Sequence, residues 1–488
     1  MLRPIIFTLA GVLCAAAAYA QAPAQTIDLS DCRITAGPGA PSRPARCGTL
    51  SRPLDPDDPA AGDIELRVAV VPALNLTPEA DPLVPIAGGP GQGAVQFYAA
   101  YSGAFEDVRR QRNILLVDQR GTGESARMDC PVDADLVEGQ YSTALTIEHT
   151  NACLEQLPHD PRFFTTSIAV TDLEAVRKAL GYASLNLYGV SYGTRVAQHY
   201  ARRYPESTRT IVLDGVVPPQ LPLGPEIATE SQRALDNGLA RCASDASCSQ
   251  RFPGIKEVFR RVLAELTAAP VAVTIPNPNN GRPEDLLFGR NELAVAIRLL
   301  AYHPKTMALL PLLISEAGGG NFVPLASQYK MTTIALTDLL ALGMHNAVMC
   351  TEDIPFLEEA WIDYDGIAAS YMGAMQLEAL EAICSVWPAG RIDAGLREPL
   401  STDIPVLLLS GDADPITPPR HAELAAVDLH NSRHLIGKNQ GHGQISVGCT
   451  SRIVADFVDT ADPQSIDVDC LERSFVMPFF VDFSGPTP

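Results

Sequence analysis

Positive charge is scarce in this chain of 488 residues: 36 Lys and Arg stand against 57 Asp and Glu, a formal net charge of −21. A surface so biased repels phosphate polymers and anionic lipid, which argues against nucleic acid or an acidic membrane as partner. Long apolar runs are as rare. The leader MLRPIIFTLAGVLCAAAAYA holds one, short of the roughly 20 residues a span needs, and no later stretch could cross a bilayer. No His/Cys group has zinc-like spacing, so no metal site is expected, and nothing asks for an organic cofactor. Internal repeats and low-complexity segments are lacking too. What remains is an ordinary globular composition, 46% hydrophobic and 19% charged, long enough for one enzyme domain with an insertion or for two domains.

The leader carries Arg3, an apolar stretch from Ile5 and a small-x-small end at Ala18-Tyr19-Ala20. It reads as a secretory signal peptide cleaved near Ala20, giving a periplasmic or secreted protein. Leu13 stands where a lipoprotein signal needs a small residue, so Cys14 is not a lipid anchor. Ten further cysteines follow, and an even number in an exported chain suggests disulfides. Sequence cannot fix their connectivity. Successive pairing is the expectation: Cys32–Cys47, Cys130–Cys153, Cys242–Cys248, Cys350–Cys384 and Cys449–Cys470, with buried free thiols as the alternative.

Along the chain, Ala22–Pro59 looks irregular. Ile64–Val71 alternates as a half-buried strand, and Pro82–Ala87 is a second strand entering Gly88-Gly89-Pro90-Gly91. Asn113–Val117 ends in Asp118-Gln119-Arg120-Gly121-Thr122-Gly123. Thr171-Asp172-Leu173-Glu174 has the capping-box pattern and opens a helix closed by Gly181. Strands alternate with helices as far as Asp214-Gly215, which argues for a mostly parallel sheet covered on both faces. From about 220 to 395 the spacing is helical (Ile255–Leu266, Glu292–Leu300, Met331–Met344), with strand signal at Val271–Ile275. The alternation resumes with Pro405–Ser410 and Arg433–Ile436. The expected organisation is a leader 1–20, a core 21–215, a mainly helical cap 216–395 and the rest of the core at 396–488.

The run Leu185–Tyr200 carries the chemistry. Its apolar strand enters Gly189-Val190-Ser191-Tyr192-Gly193 and a helix follows, the context of a G-x-S-x-G nucleophile elbow. The turn is so tight that side chains at 189 and 193 would collide, and it lifts the Ser191 hydroxyl above the sheet. The Tyr192 N–H then lies at a helix N-terminus, suited to hold an oxyanion. A serine needs a base, and the base an acid. Of nine histidines, His442 follows a late strand and lies between glycines. Asp414, ahead of Pro415, is the favoured acid and Asp412 its competitor, better suited to a turn. The glycines of 88–91 can bring a second oxyanion donor close to substrate.

Gly88-Gly89-Pro90-Gly91, the Asp118–Gly123 run, the elbow, Asp214-Gly215, Asp414-Pro415-Ile416-Thr417-Pro418 and Gly441-His442-Gly443 together resemble the α/β-hydrolase peptidases of the prolyl iminopeptidase and tripeptidyl aminopeptidase group. The exported tripeptidyl aminopeptidase-like branch is the nearer likeness, over roughly residues 60–470. The resemblance implies an α/β-hydrolase fold with a large helical cap, Ser191, Asp414 and His442 as triad, and Gly89 with Tyr192 as oxyanion donors. Where prolyl iminopeptidases have His before this loop, the chain has Ala87, which weakens any transfer of proline specificity. The implied reaction removes one to three residues from a free peptide N-terminus without cofactor. Exopeptidases of this kind pair the substrate ammonium with cap acids. The segment Met349-Cys350-Thr351-Glu352-Asp353 resembles one in that branch, which nominates Glu352 and Asp353, with a solvated acidic turn as the alternative. Glu226 and Glu230 are weaker candidates. An exported carboxylesterase using the same triad on small esters, and a binding protein on a hydrolase scaffold, are the rival readings. The expected state is a monomer acting on a peptide or small ester, with an oligomer left open.

Overall fold

The computed structural model describes residues 26–130, 142–359 and 362–486; the leader and its cleavage site lie outside them. The strands are β1 (Ser30–Ile34), β2 (Arg43–Asp55), β3 (Asp58–Val71), β4 (Leu83–Ile86), β5 (Ile114–Val117), β6 (Leu185–Val190), β7 (Thr208–Asp214), β8 (Val271–Pro276), β9 (Pro283–Phe288), β10 (Val406–Gly411) and β11 (Ser432–Gly437). Nine of them form one sheet in the order β1-β2-β3-β5-β4-β6-β7-β10-β11. The β1–β2, β2–β3 and β3–β5 pairs are antiparallel, and every pairing from β5 to β11 is parallel. This is the α/β-hydrolase fold, built on a mostly parallel sheet with helices on both faces.

Alternation along the central strands fills both faces. Leu185 and Leu187 of β6 join Ile211, Leu213, Val406 and Leu408 in one apolar cluster. Tyr188, Val190, Val212, Leu407 and Leu409 point into the other. Strands buried on both sides read as continuous apolar runs, which is why these were visible in sequence. The stretch expected to be irregular, Ala22–Pro59, instead supplies β1 and β2. They form the outer, antiparallel end of the sheet, where prolines such as Pro44 and Pro53 are tolerated because not every N–H is needed for the ladder. All five cysteine pairs are those expected, from Cys32–Cys47, which lies within the β1–β2 hairpin, to Cys449–Cys470.

Between β7 and β10 the chain leaves the sheet for a helix-rich insertion that also holds the β8–β9 hairpin. Its helices Ile227–Ser244, Ile255–Ala268, Arg290–Leu300 and Leu310–Gly318 bury a separate core including Leu235, Phe259, Leu293, Ile297 and Leu313. Its later part does not stay apart: Ala341, Met344, Val348, Cys350 and Trp387 pack into the core of the sheet. The helix expected over Met331–Met344 is two, Val323–Leu339 and Leu342–Val348. The break falls where the Ala341 N–H donates to the Gly91 carbonyl at 3.0 Å.

The helix placed at Thr171 by its capping box begins earlier, at Thr166. Thr171 is interior, its hydroxyl donating back to the Ile168 carbonyl at 2.7 Å. The true N-terminus is satisfied from far along the chain, the Thr166 N–H donating to Glu352 Oε1 at 2.7 Å. A remote carboxylate replaces the local cap.

Candidate active site

Ser191 ends β6 and precedes the helix Tyr192–Arg203, with φ 55° and ψ −128°. A non-glycine residue there stores roughly 1–3 kcal/mol of strain, and the neighbours keep it in place. The Ser191 N–H donates to the Asp214 carbonyl at 2.9 Å, and the Ser191 carbonyl accepts from the Thr194 N–H at 2.8 Å and the Thr194 hydroxyl at 2.6 Å. A Cβ on Gly189 would overlap the backbone of Gly193, and one on Gly193 the backbone of Ile86. Glycine at both positions is therefore a steric requirement. On the other side, a Cβ on Gly88 would come within 2.8 Å of Ser191 Cβ, which brings the Gly88–Gly91 loop directly against the serine. Gly89 has φ 109° and is exposed, so its backbone faces solvent beside Ser191.

His442 and Asp414, the expected base and acid, lie on loops after β11 and β10. His442 Nδ1 lies 2.8 Å from Asp414 Oδ2. Asp414 is wholly buried, its Oδ1 accepting from the Ile416 and Thr417 N–H groups at 2.8 and 2.9 Å and its Oδ2 from the Thr417 hydroxyl at 2.8 Å. Burial opposes its charge, but the His442 imidazole and these donors outweigh that and hold the carboxyl below its usual range. Burial likewise opposes protonation of His442, and the Asp414 carboxylate overcomes it, raising the imidazole above its ordinary 6.5. Asp412 does another job: it accepts the Asn439 N–H at 2.6 Å and braces the loop leading to His442.

His442 and Ser191 each approach Asp214-Gly215, just past β7. A Cβ on Gly215 would stand 3.0 Å from His442 Cε1, while the preceding carbonyl holds the Ser191 N–H. The Asp214 carboxylate, fully buried, accepts from the N–H of Gln444 at 2.8 Å, that of Ile445 at 3.0 Å and the Tyr188 hydroxyl at 2.7 Å. It thereby ties the histidine loop to the strand beside the elbow. Burial pushes its pKa up to about 6 against those donors. The Asp214-Gly215 pair was quoted as a motif, but nothing in the sequence assigned Asp214 this role.

The insertion holds the same two loops from outside. The His442 N–H donates to the Tyr302 carbonyl at 2.7 Å, and the Tyr302 ring meets the imidazole edge-on at 5.3 Å. Arg233 donates to the carbonyls of Asp412 and Asp414 at 2.8 and 2.7 Å, while Glu230 accepts from Arg233 at 2.6 Å and pairs with Arg420. Glu226 pairs with Arg420 and His421 at 2.9 and 2.6 Å. These two acids are thus engaged in holding the insertion to the core. Sequence spacing gave no sign of Arg233 or Tyr302.

Glu352 and Asp353 do not present free carboxylates to a substrate. Both are wholly buried. Asp353 takes a two-pronged pair with Arg195 at 2.8 and 3.0 Å and the Leu223 N–H at 2.7 Å. Glu352 accepts from the Thr166 N–H and hydroxyl; burial drives its pKa up to about 7, against the charge of Arg195 and the Thr166 bonds. The expectation that they pair an incoming ammonium is corrected, because Arg195 and the helix N-terminus, itself partly positive, already occupy them. Their position is still close to the elbow: Thr166 also bonds the Tyr192 hydroxyl at 2.6 Å, and Gln119 reaches that hydroxyl at 3.0 Å. Arg120 of the same run is a buried clamp, paired with Asp172 at 2.7 and 3.0 Å. Among the described residues no His, Cys, Asp and Glu cluster could hold a metal, and no helix is long and apolar enough to cross a membrane.

A serine on a strained strand–helix turn of a parallel sheet, with a histidine bonded to a buried aspartate on the loops after later strands, is the arrangement expected of a serine hydrolase. Comparison with known proteins agrees. Residues 81–241 match the family model described as "alpha/beta hydrolase fold", and residues 369–470 the one described as "TAP-like protein". The chain has the α/β-hydrolase fold, and residues 369–470 are similar to the tripeptidyl aminopeptidase-like proteins. It is similar to the serine protease Hip1 of Mycobacterium tuberculosis, at 27% identity over 79% of each chain. It is also similar to tripeptidyl aminopeptidase of Streptomyces coelicolor, at 30% over 42% of this chain and 40% of that one. Carboxylesterase B of Mycobacterium tuberculosis is 32% identical over 45% of this chain and 46% of its own.

Proposed function

We propose that the chain is an exported serine exopeptidase that releases short N-terminal units from peptides through an acyl-enzyme. The observation that carries the reading is the 2.8 Å bond between His442 Nδ1 and Asp414, in a loop fastened to the same Asp214 that holds Ser191. His442 takes the Ser191 proton, Ser191 attacks the substrate carbonyl, and the N–H groups of Tyr192 and Gly89 hold the oxyanion. The protonated His442 then passes its proton to the leaving amine, and water repeats the sequence on the ester. The peptide as substrate is supported by the names of the protease and aminopeptidase relatives. Export is supported by five disulfides, since such bonds persist in oxidising compartments, together with the leader and its cleavage site near Ala20.

An esterase using the same residues is the second reading. It is favoured by the carboxylesterase relative and by the engagement of Glu352 and Asp353 within the protein. A matched panel of free and N-acetylated aminoacyl and tripeptidyl substrates with simple acyl esters separates the two. An aminopeptidase loses activity when the amine is blocked; an esterase is indifferent. Cleavage of blocked peptides and esters alone would overturn the exopeptidase.

A further inference from the structure

Arginines packed inside this protein are mostly matched to carboxylates. Arg120 pairs with Asp172, Arg195 with Asp353, Arg112 with Asp81 and Arg177 with Glu174. Arg241 and Arg290 instead donate to backbone carbonyls, of Met477 and of Tyr371 with Ser370. Arg298 fits neither pattern. It is half-buried on the helix Arg290–Leu300, and among the described residues it forms no salt bridge. One terminal N–H donates to the Tyr302 hydroxyl at 3.2 Å, while its Nε–H is buried with no partner. An arginine has five donors and cannot shed its proton, and this one, in a chain of net charge −21, has no carboxylate beside it among the described residues.

Its position bears on where one can come from. The guanidinium carbon lies 5.9 Å from the Tyr302 ring, the same ring that meets the His442 imidazole at 5.3 Å. Arg298 therefore stands one aromatic ring away from His442. We propose that Arg298 is a specificity-determining residue that binds a carboxylate of the substrate close to the scissile bond, pairing it through its terminal N–H groups. A planar guanidinium suits this role because it can take a carboxylate on two parallel bonds. The acidic surface as a whole disfavours anionic substrates, so acceptance of a carboxylate has to come from a local cation of this kind. The carboxylate can belong to an acidic side chain or to the C-terminus of a short peptide. The inference rests on Ser191 and His442 as the reacting centre but not on whether the bond cut is amide or ester.

The test compares kcat/KM within matched pairs, using the full mature protein and its Arg298→Gln and Arg298→Lys variants. The pairs are tetra-alanine as free acid and as amide, amidated hexapeptides with Glu or Gln at each position, and p-nitrophenyl hemisuccinate against p-nitrophenyl butyrate. The wild type is expected to favour a charged member over its neutral mate by roughly ten- to hundredfold, as for a charge-assisted pair. In Arg298→Gln the ratio should fall to near one, and Arg298→Lys should keep part of it. A damaged fold would lower both members of a pair together and leave the ratio intact. Preference for the free acid alone assigns the terminal carboxylate; preference for Glu over Gln assigns the side chain. Turnover with equal rates within every wild-type pair, or a preference that survives in Arg298→Gln, would overturn the inference. No turnover of any member would instead overturn the hydrolase centre, and this inference with it.

Discussion

The two halves of the site are held by different parts of the molecule. Ser191 is fixed by its own surroundings: β6 behind it, the helix Tyr192–Arg203 ahead, the Asp214 carbonyl on its N–H and glycines where any side chain would collide. Asp414 and His442 lie on loops that the sheet positions only in part. The insertion supplies the rest, through Arg233 on the acid loop and the Tyr302 carbonyl on the base. The proposed nucleophile is thus held by a local device, whereas the proposed proton relay is assembled from segments more than a hundred residues apart.

Substitutions can test this contrast. Ser191→Ala removes the nucleophile and should lower kcat by about 10⁶, with the melting temperature little changed, since alanine keeps the Cβ that a positive φ strains. Asp414→Asn should cost on the order of 10⁴ in kcat, since the imidazole loses the partner that sets its tautomer; Asp412→Asn should lose far less, and equal losses would reverse the assignment of the acid. In the wild type kcat/KM should rise with pH through a midpoint above 6.5, because Asp414 favours the protonated, inactive imidazole. Residual activity of Asp414→Asn should titrate at lower pH, since burial then acts unopposed by that charge.

Arg233→Ala tests the contribution of the insertion. It should lower kcat/KM by roughly ten- to hundredfold, the value of two charge-assisted bonds to the acid loop, while a fluorophosphonate probe still enters the elbow. A kinetically silent Arg233→Ala would mean that the sheet alone holds the relay, and the contrast would fail. The smallest effect concerns Glu352. Its folded pKa of about 7 lies above the ordinary carboxyl value of 4.5, so the unfolded chain ionises first and stability falls as pH rises between those values. Glu352→Gln removes that slope. Its melting temperature relative to wild type should be higher at pH 8 than at pH 5, and a constant difference would contradict the raised pKa.

What could be read from the sequence follows the same division. The elbow was legible because its requirements lie within five residues, and the buried parallel strands because they are apolar throughout. The choice of Asp414 over Asp412 rests on one proline in the sequence; in the structure it is Asp414 whose carboxylate meets His442. The capping box at Thr171 misled because the pattern is local while the actual cap, Glu352, comes from 186 residues away in the chain. For the same reason Glu352 and Asp353 looked available: an acidic pair in sequence gives no sign that Thr166 and Arg195 will enclose it. β1 and β2 were missed because outer, proline-bearing strands lack the continuous apolar run that marked the central ones.

The carbonyl that Tyr302 lends to His442 sets a limit on shortening this protein. Trimming the chain down to its sheet would not yield a smaller catalyst. The truncated remnant would display a serine poised for attack with nothing orderly to deprotonate it, so a protease nick that loosened the insertion would act as an off-switch long before the core itself came apart.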